Sequence, residues 1–192
     1  LETKKYYPKK TTLSEKDFLK SFKFIKKAPI SSNESEGQNA YNTLASKMNI
    51  KRYMRWLAMH TIMQNGDYSD EVYFYATVNE KNDIYWDIMG HDLDGLFDGP
   101  HLGLYNTILR RNEVKRSLLW SLEEKLDRKI NKSPYLYAKF KEELNDLLQN
   151  SITAEFIQAS TEELKNDILP YLTKENLELS SLDDRPSDKE KV

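Results

Sequence analysis

Residues Gln64 to Pro100 read QNGDYSDEVYFYATVNEKNDIYWDIMGHDLDGLFDGP, and the reading of this stretch decides the fold. Val72–Val78 and Ile84–Met89 are rich in β-branched and aromatic residues, and Asn79-Glu80-Lys81-Asn82-Asp83 between them suits a longer hairpin loop. The pattern predicts an antiparallel hairpin. In such a hairpin the loop before the first strand and the loop after the second share one end, which brings Asp67 and Asp70 towards Asp92 and Asp94. A single aspartate in a loop is most often a turn former or a helix cap. Asp92-Leu93-Asp94 is a different case, because two carboxylates at i and i+2 in a loop repel unless a cation sits between them. Carboxylates converging from two loops supply the oxygen ligands of a divalent metal, or a metal ligand beside a base.

Upstream of this stretch lies the strongest helical pattern of the chain. From Ile50 to Gln64, apolar residues recur at Ile50, Tyr53/Met54, Leu57 and Thr61, with Trp56 and Met63 widening the stripe. Asn49 suits the N-cap and Asn65-Gly66 a C-terminal stop. His60 lies in this helix and reads as a packed or surface histidine rather than a ligand. A shorter helix is expected over Asn39–Ser46, with Ala40, Tyr41, Leu44 and Met48 inward. Another is expected over Ser14–Lys27, with Phe18, Phe22 and Ile25 on one face. Residues 28–38 read as a polar loop.

Downstream, His101 could reach the acidic cluster from its loop, but reads first as a plain loop residue. Val114, Leu118, Leu122, Leu126 and Ile130 repeat every four residues and predict a long helix over Glu113–Ile130. Ser133-Pro134 opens the next helix as cap and first residue, with Tyr137, Phe140, Leu144 and Leu147/Leu148 as its face. A last helix is expected over Thr153–Ile168, and the polar end from Glu175 reads as frayed. The leucine seams serve packing between helices, since no heptad survives four repeats. The fold class expected is α+β, mainly α: a helical body carrying one β-hairpin. One domain is expected over 1–178, followed by a polar tail at 179–192.

Composition narrows the function classes. The chain has 192 residues and a formal charge of −2, which gives no field for attracting nucleic acid. No apolar run approaches the roughly 18 residues of a membrane span. The absence of cysteine removes disulfides, thiolate metal sites and cysteine nucleophiles, and three histidines without HExxH spacing argue against a zinc enzyme. The chain begins at Leu1, which reads as a processed or expressed fragment of a longer protein.

The order and spacing of several short motifs resemble the spore-coat protein H (CotH) kinase family. They are Tyr53, Leu57 and Ala58 on the helix, then Asn65-Gly66-Asp67, then the strand aromatics Tyr73-Phe74-Tyr75, then His91-Asp92-Leu93-Asp94-Gly95-Leu96-Phe97. The likeness continues through Asn106–Leu109 and Val114–Arg116 and covers most of residues 40–175. It implies the C-terminal lobe of an atypical protein-kinase-like fold, with Mg²⁺ or Mn²⁺ and ATP as cofactors and a protein Ser/Thr of a coat or surface protein as phosphate acceptor. Asp67 would then take the catalytic-loop role and Asp92 the metal and cofactor role. Asp94 would be a neighbour or co-ligand, and either aspartate could be the metal ligand. Glu71 stands where the family often has a second, asparagine, metal ligand.

Phe97-Asp98-Gly99 departs from the family's Phe-Gly by an interposed aspartate. No glycine-rich phosphate loop or strand lysine paired with a helix glutamate is found, so the N-terminal lobe is expected to lie outside this chain. The family likeness suggests a spore-coat or extracytoplasmic location. A rival reading from a different class is a non-catalytic surface or coat module. In it the acidic loops hold Ca²⁺, and Tyr68, Tyr73, Tyr75, Tyr85 and Trp86 form a docking face.

Overall fold

The hairpin forms. In the computed structural model, which describes residues 12–27, 33–65, 72–90, 118–119 and 124–172, β1 (Val72–Val78) pairs antiparallel with β2 (Ile84–Gly90) in a register running from Val72↔Gly90 to Val78↔Ile84. The turn is closed by Asn79, whose side-chain oxygen accepts from the Lys81 and Asp83 N–H groups at 2.9 and 2.8 Å. Asn82 takes the left-handed conformation there (φ 62°), which asparagine tolerates because its short polar side chain bonds locally.

Three helices precede the hairpin: α1 (Glu15–Lys27), α2 (Glu34–Ala45) and α3 (Ile50–Met63). Helix α2 begins five residues before the expected Asn39. The segment read as loop contains its own cap, since Asn33 accepts from the Ser35 N–H at 3.0 Å and nucleates the helix through ESEGQ. Asn49 caps α3 as expected, accepting from the Arg52 N–H at 3.2 Å. The stop at the other end falls one residue early, at Gln64, which takes the left-handed conformation (φ 50°), and Asn65 is fully buried.

After the hairpin come α4 (Lys125–Lys132) and α5 (Pro134–Asp146). The long helix expected over Glu113–Ile130 is corrected. Leu118 is exposed with φ 56°, Leu119 is buried, and Glu124 is an extended N-cap, so the helix starts only at Lys125. Asp127 explains the start: its carboxylate reaches back to accept the Glu124 N–H at 3.2 Å, which fixes a helix end where the leucine spacing alone suggests continuity. Ser133 and Pro134 open α5 as predicted, with the Ser133 hydroxyl accepting from the Leu136 N–H. The buried face of α5 is Leu136, Phe140 and Glu143, continued by Leu147 just past its end; it is rotated from the expected one, with Leu148 exposed.

The chain divides into two compact units, Leu1–Leu147 and Leu148–Val192. In the first, α3 lies along α5, which α2 and α4 also contact, while α1 touches α4 and β2. The core is built from Tyr53, Met54 and Leu57 of α3, Leu136 and Phe140 of α5, and Ile130 of α4. Gly37 sits in α2 where a Cβ would lie 2.6 Å from the Tyr135 Cβ and 3.1 Å from the Ser133 hydroxyl. Alanine gains up to about 1 kcal/mol of helix propensity there. The clash outweighs it, because overpacking costs about 1–3 kcal/mol and the Tyr135 Cβ cannot swing away. Gly37→Ala is therefore expected to destabilise the fold by about 1–2 kcal/mol, read from the midpoint of urea unfolding.

The second unit contains α6 (Ala154–Ile168), capped by the Thr153 hydroxyl, which accepts from the Phe156 N–H at 3.1 Å. The leucine and phenylalanine side chains of α6 are exposed. No described helix is long and apolar enough to cross a membrane.

Candidate functional site

The hairpin is the scaffold of the candidate site, and it is held from both sides. On its inner face Phe74 packs against Tyr53 of α3 (ring centroids 5.8 Å apart) and Phe22 of α1 (5.1 Å), and Trp86 packs against Phe22 (5.0 Å). The Trp86 indole N–H donates to the Ser21 hydroxyl at 3.1 Å. The free side of β2 is also tied down. The Trp86 N–H donates to the Lys47 carbonyl, and the Trp86 carbonyl accepts the Asn49 N–H, both at 2.8 Å. Asp87 then accepts from the Asn49 amide at 3.2 Å and the Arg52 guanidinium at 3.0 Å. The α3 cap and the second strand are thus one bonded unit.

This framework fixes where the acidic segments attach. Val72 and Gly90 are partners at one end of the ladder, so the chain enters β1 from residue 71 and leaves β2 towards residue 91 at that end. This is the shared-end arrangement expected from the sequence. The candidate site residues Asp67, Glu71, Asp92 and Asp94, with Asp70 and His101, lie outside the described residues. Among the described residues no group of three His, Asp or Glu side chains is placed to hold a metal ion.

Carboxylates that the sequence left unremarked have structural roles. Asp127 is fully buried and accepts the Tyr53 hydroxyl at 2.6 Å. Glu143 and Asp146 on α5 both accept from the Arg55 guanidinium of α3, which holds that guanidinium protonated even more firmly than usual; the Asp146 bond is the main cause. The Glu124-x-x-Asp127 spacing was the available signal for the first of these, as a capping pattern inside an apparent leucine seam. Nothing local marks the second, which depends on two helices meeting.

His60 is 1% exposed, its ring 4.2 Å from the Trp56 ring between centroids. Burial pushes its pKa down to about 4. Of the packed and surface placements that the sequence left open, the structure takes the packed one. Thr61 beside it donates to the Leu118 carbonyl at 2.9 Å, tying the last turn of α3 to the segment before α4.

The family model described as CotH kinase protein matches residues 2–191 of the chain. The chain belongs to the CotH kinase family. No curated protein and no solved structure matches it. Within this CotH-family chain, the helix residues that carry the resemblance are buried framework: Tyr53, Leu57 and Ala58 are each at most 3% exposed. They seat α3 under the hairpin, immediately upstream of Asn65.

Proposed function

We propose that this chain carries the acidic loops of an atypical protein kinase, which in the whole protein transfers the γ-phosphoryl group of ATP to a serine or threonine hydroxyl of a coat or surface protein. The observation that carries this reading is the Val72↔Gly90 pairing, which attaches both acidic segments to one end of a hairpin bonded to α3. Family membership supports the kinase class.

Asp67 orients the acceptor hydroxyl and takes its proton as the oxygen–phosphorus bond forms and the bond to ADP breaks. Asp92, with Asp94 or Glu71, offers the hard oxygen ligands that Mg²⁺ or Mn²⁺ prefers. A bound ion would offset the charge on the phosphate oxygens.

The test is a thermal-shift titration with Mg²⁺ or Mn²⁺, with and without ATP, on this chain and on Asp92→Ala. At 100 times its dissociation constant a ligand adds about 2.7 kcal/mol, or about 5–10 °C for a domain of this size. The expected result is a shift that needs metal and ATP together and disappears in Asp92→Ala. A shift with Ca²⁺ alone, indifferent to nucleotide, would replace this reading with the calcium-holding surface module.

A further inference from the structure

The outer face of α1 carries a row of lysines. Lys16, Lys20, Lys23 and Lys27 recur at i, i+4, i+7 and i+11. At about 100° per residue they fall within a stripe of about 60° of the helix circumference. Phe18, Phe22 and Ile25 project from the opposite side towards the core, where Phe18 and Ile25 are buried.

This stripe forms one wall of an open groove of about 840 Å³. The other wall is Lys47 with Asn82, Asp83 and Ile84 of the hairpin turn. None of the five lysines forms an ion pair among the described residues, whereas Lys51, Lys139 and Lys165 elsewhere do. The two carboxylates of the groove are engaged locally. Asp17 accepts from the Ser14 N–H and hydroxyl at 2.8 and 2.7 Å, and Asp83 accepts from the Asn79 amide at 3.1 Å. Both carboxylates stay ionised, and Asp17 feels Lys20, so five lysines against two aspartates leave the groove net positive rather than neutral. Leu19 and Phe24 line the same groove, one on each flank of the stripe, and are 41% and 42% exposed.

We infer that this groove docks an acidic segment of a partner protein in extended conformation, with carboxylates over the lysines and the methylene stems of the same acidic side chains against Leu19 and Phe24. The spacing fits. The lysines rise along the helix in steps of about 6, 4.5 and 6 Å. An extended chain presents same-face side chains every 6.6 Å or so. About six or seven extended residues with acids at alternate positions cover the row from Lys16 to Lys27, about 16 Å long. The charge is confined to a stripe one helix wide and about 16 Å long, the footprint of a single extended chain rather than of a bilayer. The chain as a whole is slightly acidic, at −2, so the attraction is local to this face. The hairpin turn lies at the opposite end of the ladder from Val72↔Gly90, about 20 Å away along seven residue pairs. The groove is therefore a second site and stands whether or not the acidic loops transfer phosphate.

The test is fluorescence anisotropy of a short labelled peptide of alternating glutamate and leucine, with the whole chain at low and moderate salt. Anionic phosphatidylserine vesicles and duplex DNA are run alongside. The expected result is saturable peptide binding that weakens at least tenfold in Lys20→Glu/Lys23→Glu and is unchanged in Lys125→Glu, an exposed lysine on α4. Phe24→Ser should also weaken it several-fold, which a purely ionic surface would not show. Far-ultraviolet circular dichroism confirms that each variant is folded. Equal loss in the Lys125 control, no saturable binding, or tighter binding of vesicles or DNA than of the peptide would each overturn the proposal.

Discussion

Asp127→Ala is expected to destabilise the fold by about 3–5 kcal/mol, the largest effect of any single change considered. Its carboxylate is fully buried and serves two elements at once. One oxygen accepts the Tyr53 hydroxyl of α3 at 2.6 Å, and the other accepts the Glu124 N–H at the start of α4 at 3.2 Å. Alanine removes both acceptances. A buried donor deprived of its acceptor costs about 1–3 kcal/mol, and the Glu124 N–H is also an orphan of a helix terminus that the cap was satisfying. The vacated space adds to the cost, because it opens beside the buried Tyr53 that the carboxylate touches.

Two controls separate these contributions. Asp127→Asn keeps shape and one acceptor oxygen and should cost less than alanine. Tyr53→Phe removes one donor while leaving the ring packed against Trp56 and Phe74. Combined with Asp127→Asn it gives a double-mutant cycle, whose coupling should exceed about 0.5 kcal/mol because the groups touch. Urea midpoints at constant slope give the numbers. A loss below about 1 kcal/mol for Asp127→Ala would show that α3 and α4 are not joined through this carboxylate. The consequence for function is direct, since α3 leads into Asn65 and the acidic segment, so whatever anchors α3 sets the position from which that segment departs.

The elements governed by local rules were legible in the sequence. Asn49 and Ser133 each stand just before an apolar-periodic run and cap the helices expected there, and the β-branched and aromatic runs around Asn79–Asp83 gave the strand bounds to within one residue. Asn33 follows the same rule but was masked by its polar surroundings, since ESEGQ has no apolar periodicity to announce a helix.

What failed depended on partners distant in sequence. Leucines spaced by four cannot distinguish a continuous helix from a break at Leu118, because Leu119 is buried either way. Asp127 has a local signal in the Glu124-x-x-Asp127 spacing, but its other partner, Tyr53, is 74 positions away. Arg55 is likewise far in sequence from Glu143 and Asp146. For the candidate site, the sequence supplied the family through motif order, and the hairpin supplied a common attachment end. The roles of Asp67, Asp92, Asp94 and Glu71 stand as proposals because a carboxylate's chemistry is set by its neighbours, which spacing does not specify.

Acidification should destabilise the protein through His60, by about 2.5 kcal/mol between about pH 7.5 and about pH 4.5. The ring sits in the last turn of α3, 1% exposed and packed edge-on to Trp56. A helix C-terminus favours a cation, so the dipole alone would raise its pKa. Burial opposes this and prevails, bringing the native pKa to about 4 from 6.5. Between those values the unfolded chain binds a proton that the native state excludes. Stability is therefore complete above pH 6.5, falls through the window at up to about 1.4 kcal/mol per pH unit, and levels off below pH 4.

Other carboxylates titrate near the lower edge of the window, so the slope of the wild type alone does not assign the effect. His60→Gln does. It keeps a polar side chain of similar reach, and it has no proton to gain. The variant should start less stable near neutral pH, since the imidazole packs against Trp56 and the amide cannot. Its stability should then fall less steeply, so that the gap between the two proteins narrows by about 2.5 kcal/mol towards pH 4.5. Parallel pH profiles would mean that His60 takes its proton in the native state, and that the end of α3 admits water when it does. Converging profiles would mean that the helix leading into the acidic segment is closed against water down to its last turn.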